Sequence, residues 1–516
     1  MDWLLVVSGV VHRFNGVIVD DVIGVTCNVH LAAADTNIGR LENMQIVRTP
    51  NITRSVALYG AACIEPYEVR PRATRGAVCN DPYISYQEYL DQSRFTDAWV
   101  GMAVDASSTY VIVVDDGIGD HFEIAIAASF PLASSSLGVH ATQVAGVVAS
   151  RDNGVALCGA SPSAQLVDIN LLAKSFLGDA SEAVAFTGEH DQWNAVYCNS
   201  WGPLDDGRCE KPGTLSRAAF DRGIVHGRGG RGNIYVFAAG NGGKQENVND
   251  DGYANMPQTI SVAGLNGASS AYFSEWGAAI TLSAPGYQML TTSDNNNFAY
   301  FYGTSASAPL VAAAVSLMLA ADANLSWRDV QEILMMSAAP VGSVGDFQTN
   351  AARFSYSHTF GAGQLDASMA VRLASRWVAL PPRIHASMVH EVDAAPLPLL
   401  HMFPVAASLR VEHASVCIKA THHGIDRGDG STIGVTLESP AGTRAILTKP
   451  TTRVSAVAGC SYDDWCFTSL AQWGERSNGM WRIFVEDAAP VPQEMTHVSL
   501  TLFGSNASYG FVGCKD

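Results

Sequence analysis

Three residue types that together can perform nucleophilic acyl transfer occur along the chain in the order Asp, His, Ser. Asp115 follows a run of β-branched residues, His140 opens a segment of small residues, and Ser305 begins an alanine-rich stretch. A serine becomes a nucleophile when a histidine accepts its proton, and a carboxylate must hold that histidine in the right tautomer. Asn241 adds an amide that can donate to the oxyanion of an attacked carbonyl. Each residue alone fits a turn or a helix cap, but the combination predicts a catalytic triad with an oxyanion donor.

Strands and helices must bring these distant residues together. Residues 110–114 and 234–239 are apolar, β-branched runs typical of buried parallel strands, and residues 305–320 suit a buried helix. Such alternation predicts an α/β parallel sheet, whose functional residues lie at the carboxyl ends of its strands. After Pro381-Pro382 the alternating runs and turn residues predict an all-β part.

Composition excludes several classes of protein. The 516 residues are 47% hydrophobic, too apolar for a disordered chain, and correspond to two to four domains at roughly 100–200 residues each. The 31 Lys and Arg against 49 Asp and Glu give a net charge of −18, which disfavours nucleic acid and favours cationic partners. No apolar run approaches the ~18–20 residues of a membrane span, so we expect no transmembrane segment. The apolar residues 3–11 leave a secretion signal and a folded segment as alternatives.

The string Gly-Thr-Ser-Ala-Ser-Ala-Pro at residues 303–309, with the order Asp, His, Ser, resembles the subtilisin superfamily. Further segments are similar to the kexin/furin proprotein convertases, namely 200–207, 227–232, 239–243 and 324–330. The C-terminal segments 408–413, 437–444, 464–465 and 479–481 resemble the convertase P domain. The resemblance implies a subtilisin-like parallel sheet flanked by helices, followed by an all-β jelly-roll P domain. It also implies a signal or pro-region at 1–75, a catalytic domain at 76–380 and the P domain at 381–516.

The resemblance assigns roles to individual residues. Asp115, His140 and Ser305 would be the triad of a calcium-dependent endopeptidase that cleaves precursors after Arg, with Asn241 as oxyanion donor. The substrate-binding residues would be Asp116, Ser200, Trp201, Gly202, Asp205 and Asp251. Asp205 and Asp251 would bind the arginine side chain before the scissile bond (P1), and Asp116 would face the residue before it (P2). One Ca²⁺ site would use Asp205 and Glu275 with Asn247 or Glu246, and a second would use Asp81, Glu123 and Asn153.

Other positions depart from the family pattern. Ala141 stands where the family usually has glycine. Residues 137–139 stand where the family has a longer loop that carries a third Ca²⁺ site and an acid. Lys211 stands where the family has an acid near the P4 position. An alanine in the segment 182–185 replaces another such acid. We therefore expect a requirement for Arg at P1 and a weaker requirement for further basic residues.

The resemblance also implies a maturation route. Self-cleavage would follow Arg75, and the pro-region would act as an intramolecular inhibitor of a monomer in the secretory pathway, in a vesicular lumen, or secreted. Cys198 and Cys209 could clamp the loop between them, and Cys460 and Cys466 could close a loop of the P domain. Two other functions stay open: a secreted subtilisin-like protease of broader specificity, and an inactive binding protein on the same fold.

Overall fold

The structure, a computed structural model, divides the chain into two compact units, residues 1–70 and 71–516. It describes residues 79–102, 104–132, 137–173, 178–343, 345–421, 432–450, 462–488 and 494–506. In the first unit it describes three strands: β1 (Asp2–Val7), β2 (Val10–Asn15) and β3 (Gln45–Val47). They form an antiparallel sheet in the order β2-β1-β3, and the apolar residues 3–11 lie largely in its first hairpin.

The second unit begins with an eight-stranded sheet in the order β10-β9-β8-β7-β4-β6-β5, with β11 also paired to β9. All strands of this sheet are parallel except β10. Its strands are β4 (Tyr110–Asp115), β5 (Ile126–Pro131), β6 (Gln165–Asn170), β7 (Ala195–Asn199), β8 (Ile234–Ala238), β9 (Thr259–Asn266), β10 (Ser269–Ser270) and β11 (Leu282–Pro285). Two hairpins follow, β12 (Met289–Thr292) with β13 (Phe298–Phe301), and β14 (Gln348–Thr349) with β15 (Ser355–Tyr356). The predicted parallel sheet is confirmed.

Helices cover both faces of this sheet. They are α1 (Glu88–Gln92), α2 (Phe95–Met102), α3 (Val139–Ala149), α4 (Asp179–Ala185), α5 (Thr214–Gly230), α6 (Thr304–Ala321), α7 (Trp327–Ser337) and α8 (Ala367–Ala374). Side chains alternate along a strand, so Val111 and Val113 pack against the α6 layer while Ile112 and Val114 pack in an aromatic-rich core on the other face. Because both faces are covered, the strands read as continuous apolar runs.

Helix α6 corrects one expectation about apolar runs. From the sequence we expect no apolar run long enough to cross a membrane. The 18 residues of this helix are nevertheless long and apolar enough by composition to do so. However, 89% of the helix is buried inside the protein, where it packs against α3 and the central strands. The helix is therefore the core of the α/β part.

The C-terminal part consists of two four-stranded antiparallel sheets, in the orders β16-β23-β18-β21 and β17-β22-β19-β20. Their strands are β16 (Ile384–Pro396), β17 (Leu399–Val405), β18 (Leu409–Thr421), β19 (Ile433–Glu438), β20 (Arg444–Thr448), β21 (Trp465–Ser469), β22 (Gly479–Asp487) and β23 (Glu494–Asn506). This arrangement agrees with the predicted all-β jelly roll.

Buried ion pairs join the two parts. The guanidinium of Arg328 on α7 donates to both carboxylate oxygens of Glu412 on β18, at 2.8 and 2.5 Å, and to the carbonyl oxygen of Pro381 at 2.7 Å. Arg410 on β18 pairs in the opposite direction with Glu332 on α7. Burial raises the pKa of Glu332, although Arg410 opposes that shift. The α/β part and the β part are therefore joined by buried ion pairs.

The disulfides differ from the expected pairs. Cys79 bonds Cys158, and Cys417 bonds Cys466 across neighbouring strands. Cys198 is a free, buried thiol on β7, while Cys209 is disulfide-bonded, so the expected clamp between these two residues is wrong. The expected bond from Cys466 to Cys460 is also wrong; Cys460 itself lies outside the described residues.

Candidate active site

The carboxyl end of β4 and the start of α3 bring Asp115 and His140 into contact. Nδ1 of His140 lies 2.9 and 3.0 Å from the two carboxylate oxygens of Asp115, which is 1% exposed. Such a contact fixes the Nδ1–H tautomer and leaves Nε2 as a base. The ring of Phe301 on β13 packs edge-on against the imidazole, with the ring centroids 5.3 Å apart.

The electrostatic environment favours protonation of this histidine. Burial by itself lowers the pKa of His140, but the carboxylate of Asp115, with a smaller contribution from Asp116, outweighs burial and raises it. Ala141 stands where the family usually has glycine, and the structure accommodates it. Its side chain is fully buried, and its backbone N–H donates to the carboxylate of Asp116 at 2.8 Å.

Ser305 is the second residue of α6, where the first N–H groups of a helix have no intrahelical partner. Its hydroxyl donates to the carbonyl oxygen of Ser200 at 3.0 Å, and the hydroxyl of Ser200 donates to the carbonyl oxygen of Ser305 at 3.0 Å. Gly303, with φ of 106°, makes the turn into the helix. The reciprocal bonds fix the residues after β7 beside the candidate nucleophile.

Asn241, at the loop after β8, is oriented for donation. Its Oδ1 accepts from the backbone N–H of Thr304 at 2.9 Å and from the Thr304 hydroxyl at 3.1 Å. An amide whose oxygen is held in this way presents its NH₂ group as the remaining donor. The amide and the first turn of α6 therefore form an oxyanion-type donor set.

A cavity of about 190 Å³ opens beside Ser305. Its lining includes Ser200, Trp201, Gly202, Asp205, Asn241, Glu246, Asn247, Asp250, Asp251, Glu275 and Ser305. Most of the predicted substrate-binding residues therefore meet in one place, which we call the acidic cavity. Trp201 packs there edge-on against Tyr253, with ring centroids 5.3 Å apart.

Asp251 is held rigidly in the acidic cavity. Its Oδ1 accepts from the backbone N–H groups of Tyr253 and Ala254, at 2.7 and 3.2 Å. A Cβ on Gly202 would lie only 2.8 Å from the other oxygen, so glycine permits this close approach. Burial, with the nearby charge of Asp205, raises the pKa of Asp251 to about 7. A buried carboxylate with this pKa gains from a cationic partner.

A second group of acids lies against two glycines of the acidic cavity. Cβ atoms on Gly240 and Gly242 would collide with the side chains of Glu275 and Glu246. Burial, and then the charge of Asp205, raises the pKa of Glu275. These oxygens fit a hard cation such as Ca²⁺.

Both amide atoms of Asn247 already have hydrogen-bond partners. Its Oδ1 accepts from the N–H of Asn249 at 2.9 Å, and its Nδ2 donates to the carbonyl oxygen of Leu447 at 3.1 Å. Of the two candidates for the third ligand, the geometry favours Glu246 over Asn247.

The residues predicted for the second Ca²⁺ site also converge. Asn153 Nδ2 lies 3.2 Å from Glu123 Oε2, and one oxygen of Asp81 accepts from the N–H of Val155 at 2.8 Å. The other carboxylate oxygen of Glu123 is buried without a hydrogen-bond partner among the described residues. Burial, and then the charge of Asp81, raises the pKa of Glu123 to about 7. An unpartnered oxygen among acids is what a cation site requires.

Sequence reasoning missed Asp152 in this group. Its carboxylate lies within 4.8 Å of ligand atoms of Asp81, Cys79 and Cys158, although those two sulfurs form a disulfide. The signal was available, because an acid directly precedes Asn153.

The departures from the family pattern have structural counterparts. Leu137 and Val139 are exposed beside His140, at 54% and 41%, where an acid was expected. Lys211 directs its ammonium to the carbonyl oxygens of Asp463 and Asp464, at 3.3 and 3.4 Å. Glu182 is buried and accepts from the hydroxyl of Tyr253 at 2.8 Å. Arg75, the predicted self-cleavage position, lies outside the described residues.

Comparison with known proteins matches the two parts separately. The subtilase family matches residues 107–363, and the proprotein convertase P-domain matches residues 411–502. The chain is 32% identical over 407 residues to the dibasic-processing endoprotease of Schizosaccharomyces pombe, covering 73% of this chain and 56% of the relative. It is 31% identical over 490 residues to proprotein convertase subtilisin/kexin type 7 of Mus musculus, covering 84% and 62%. The chain thus spans less than two thirds of these relatives.

Among solved structures, the serine protease of Aeromonas sobria superposes with a TM-score of 0.72 at 22% identity, over 86% of this chain and 100% of that chain. At this identity the likeness shows a common fold.

Proposed function

Because the chain belongs to the kexin- and furin-like proprotein convertases of the subtilase family, we propose that it is a serine endopeptidase that cleaves precursor proteins after arginine. The observation that carries this proposal is the position of the acidic cavity directly beside Ser305, with Asp115 and His140 in contact.

In the proposed mechanism, the hydroxyl of Ser305 breaks its hydrogen bond to the carbonyl oxygen of Ser200. Its oxygen then attacks the carbonyl carbon of the scissile bond. Nε2 of His140 takes the hydroxyl proton and then delivers it to the leaving amine, while Asp115 stabilises the imidazolium. Asn241 and the N–H of Ser305 donate to the oxyanion. Water then attacks the acyl-enzyme by the same route, and the carboxyl product leaves.

The acidic cavity would select the P1 side chain. A guanidinium can form charge-assisted, bidentate bonds with the fixed carboxylate of Asp251, and Asp205 adds negative charge at the mouth. The raised pKa of Asp251 supports this role, because an arriving guanidinium would restore the ionised form.

Calcium would occupy the two acid groups. Asp205, Glu246 and Glu275 would hold one ion, and Asp81, Glu123, Asp152 and Asn153 would hold the other. Each ion would neutralise crowded carboxylates and so fix the loops that carry them. The unpartnered oxygen of Glu123 and the raised pKa values of Glu123 and Glu275 support this assignment.

A protease of broader specificity is the second candidate. The exposed apolar residues Leu137 and Val139 favour it. They stand where the family has an acid, so the region that would contact P2 carries one negative charge fewer. Asp116 would then be the acid left for P2, and it already accepts from the N–H of Ala141.

We further propose that residues 1–75 are a signal or pro-region, 76–380 the catalytic domain and 381–516 the P domain. The boundary between the two compact units, at residues 70 and 71, lies close to the first of these limits. Self-cleavage after Arg75 would release an inhibitory pro-region, and the protease would act as a monomer in a secretory or vesicular lumen or outside the cell.

Two measurements test this function. A fluorophosphonate should label the wild-type protein and not Ser305→Ala; an unlabelled wild type in calcium would leave the inactive binding protein as the answer. A peptide library, profiled with calcium and with a chelator, should show Arg at P1 and loss of cleavage on chelation. Cleavage after apolar residues would instead support the broader protease.

A further inference from the structure

The loop from Glu246 to Tyr253, here the cavity loop, faces the acidic cavity on one side and the P domain on the other. Asn249 lies at its centre and is fully buried. Its Nδ2 donates to the carbonyl oxygens of Leu447 and Thr468, at 3.1 Å each, and its Oδ1 accepts from the N–H of Thr468 at 2.8 Å. One amide thus spans β20 and β21 of the P domain.

The backbone of Asn249 is held from the same side. Its carbonyl oxygen accepts from the indole Nε1 of Trp465 at 3.0 Å and from Nδ2 of Asn255 at 2.9 Å. Asn255 Nδ2 also donates to the carbonyl oxygen of Cys466 at 2.9 Å. The side chain and the backbone carbonyl of Asn249 are therefore both hydrogen-bonded to the P domain, and such buried networks hold a single geometry.

Asn249 lies within the short 3₁₀ turn Val248–Asp250, so only Asp250 separates this anchor from Asp251. A displacement of Asn249 must move Asp251 relative to Gly202 and to the rest of the acidic cavity. We propose that Asn249 is a positioning residue through which the P domain sets the place of the P1-binding carboxylate. This inference rests on the proposed function, namely that Asp251 binds the P1 arginine.

The chain offers a matched control. Asn350 is also a buried amide at the joint: its Nδ2 donates to the carbonyl oxygens of Ala471 and Trp473, at 2.9 Å each, and its Oδ1 accepts from the N–H of Phe354 at 3.0 Å. It lies between β14 and β15, outside the cavity loop. Substituting it removes two side-chain bonds to the P domain, against three for Asn249, without touching the loop that carries Asp251.

The experiment compares Asn249→Ala and Asn350→Ala in the full chain with calcium. Peptides with Arg or its neutral isostere citrulline at P1 give kcat and KM, and fluorophosphonate labelling counts active molecules. For Asn249→Ala we expect a rise in KM and a roughly tenfold fall in kcat/KM on the Arg peptide, the size expected for lost hydrogen bonds, with kcat little changed. The preference for Arg over citrulline should fall as well, while Asn350→Ala keeps it. An Asn249→Ala preference within twofold of wild type overturns the inference.

A second variant covers a failure to fold. Trp465→Phe keeps a buried aromatic ring and removes the indole N–H bond to the Asn249 carbonyl together with part of the indole packing. A smaller fall in the Arg preference is expected, and an unchanged preference counts against the inference. The wild type separates the two proposals: no preference for Arg in the wild type defeats the proposed function itself. A wild-type preference that both variants retain defeats this inference alone.

Discussion

The buried joint between the two domains allows a sharp prediction about stability. In Glu412→Gln, the guanidinium of Arg328 loses its charged partner while 8% exposed, and Arg383 and Arg410 remain in the same region. Burial and the charge of Arg328 already lower the pKa of Arg383, to about 10, against the opposing effect of Glu412. Breaking a buried pair from one side typically costs about 3–5 kcal/mol, since a charge stays buried without compensation. We expect a loss of that size in the free energy of unfolding.

The measurement is urea unfolding at fixed calcium and pH, followed by fluorescence and by fluorophosphonate labelling. The control is Glu438→Gln, which breaks the pairs with Arg482 and Arg444 on the surface of the P domain, where these two arginines are 39% and 59% exposed. Exposed pairs contribute below ~1 kcal/mol, so this variant should unfold close to wild type. If Glu412→Gln costs no more than Glu438→Gln, the joint does not hold the domains as argued.

Four further outcomes follow from the site. Glu123→Gln should reduce the rise in melting temperature that calcium causes, because one of the two proposed Ca²⁺ sites loses a ligand. Thermal unfolding with and without chelator measures the rise, and an undiminished rise would contradict the ligand assignment. Asp116→Asn removes a charge that raises the pKa of His140, so the acid limb of kcat/KM, which requires neutral imidazole, should move to lower pH on substrates with a neutral P2 residue. Asn241→Ala should lower kcat by about 10²–10³ with little change in KM; a pure KM effect would argue against oxyanion donation. Asp251→Asn should lower kcat/KM roughly 10- to 100-fold for P1 Arg and little for P1 citrulline, because a charge-assisted bond is lost.

The positions of the proposed catalytic residues could be predicted because each residue follows a strong local pattern. Asp115 ends an apolar run, and Ser305 lies in the first turn of an apolar helix, so the parallel sheet itself brings such positions to one edge. The acids of the cavity were predictable from the resemblance to the convertase family. Local pattern and global fold agree at these positions.

Contacts between distant segments escaped this reasoning. The amide of Asn247 bonds Leu447, 200 positions away, and Lys211 reaches the carbonyl of Asp463, 252 positions away. Nothing in the neighbourhood of either residue encodes such a partner. The same holds for Cys466, whose bond to Cys417 depends on the register of two strands rather than on the nearer cysteine.

Helix α6 has a practical consequence for work on this protein. Its second residue is the candidate nucleophile, while the rest of the helix is enclosed by α3, α8 and the central strands. We expect the hydroxyl of Ser305 to reach its proposed working position only when these surrounding layers are in place. Counting purified molecules that a fluorophosphonate labels at Ser305 would therefore count folded α/β domains.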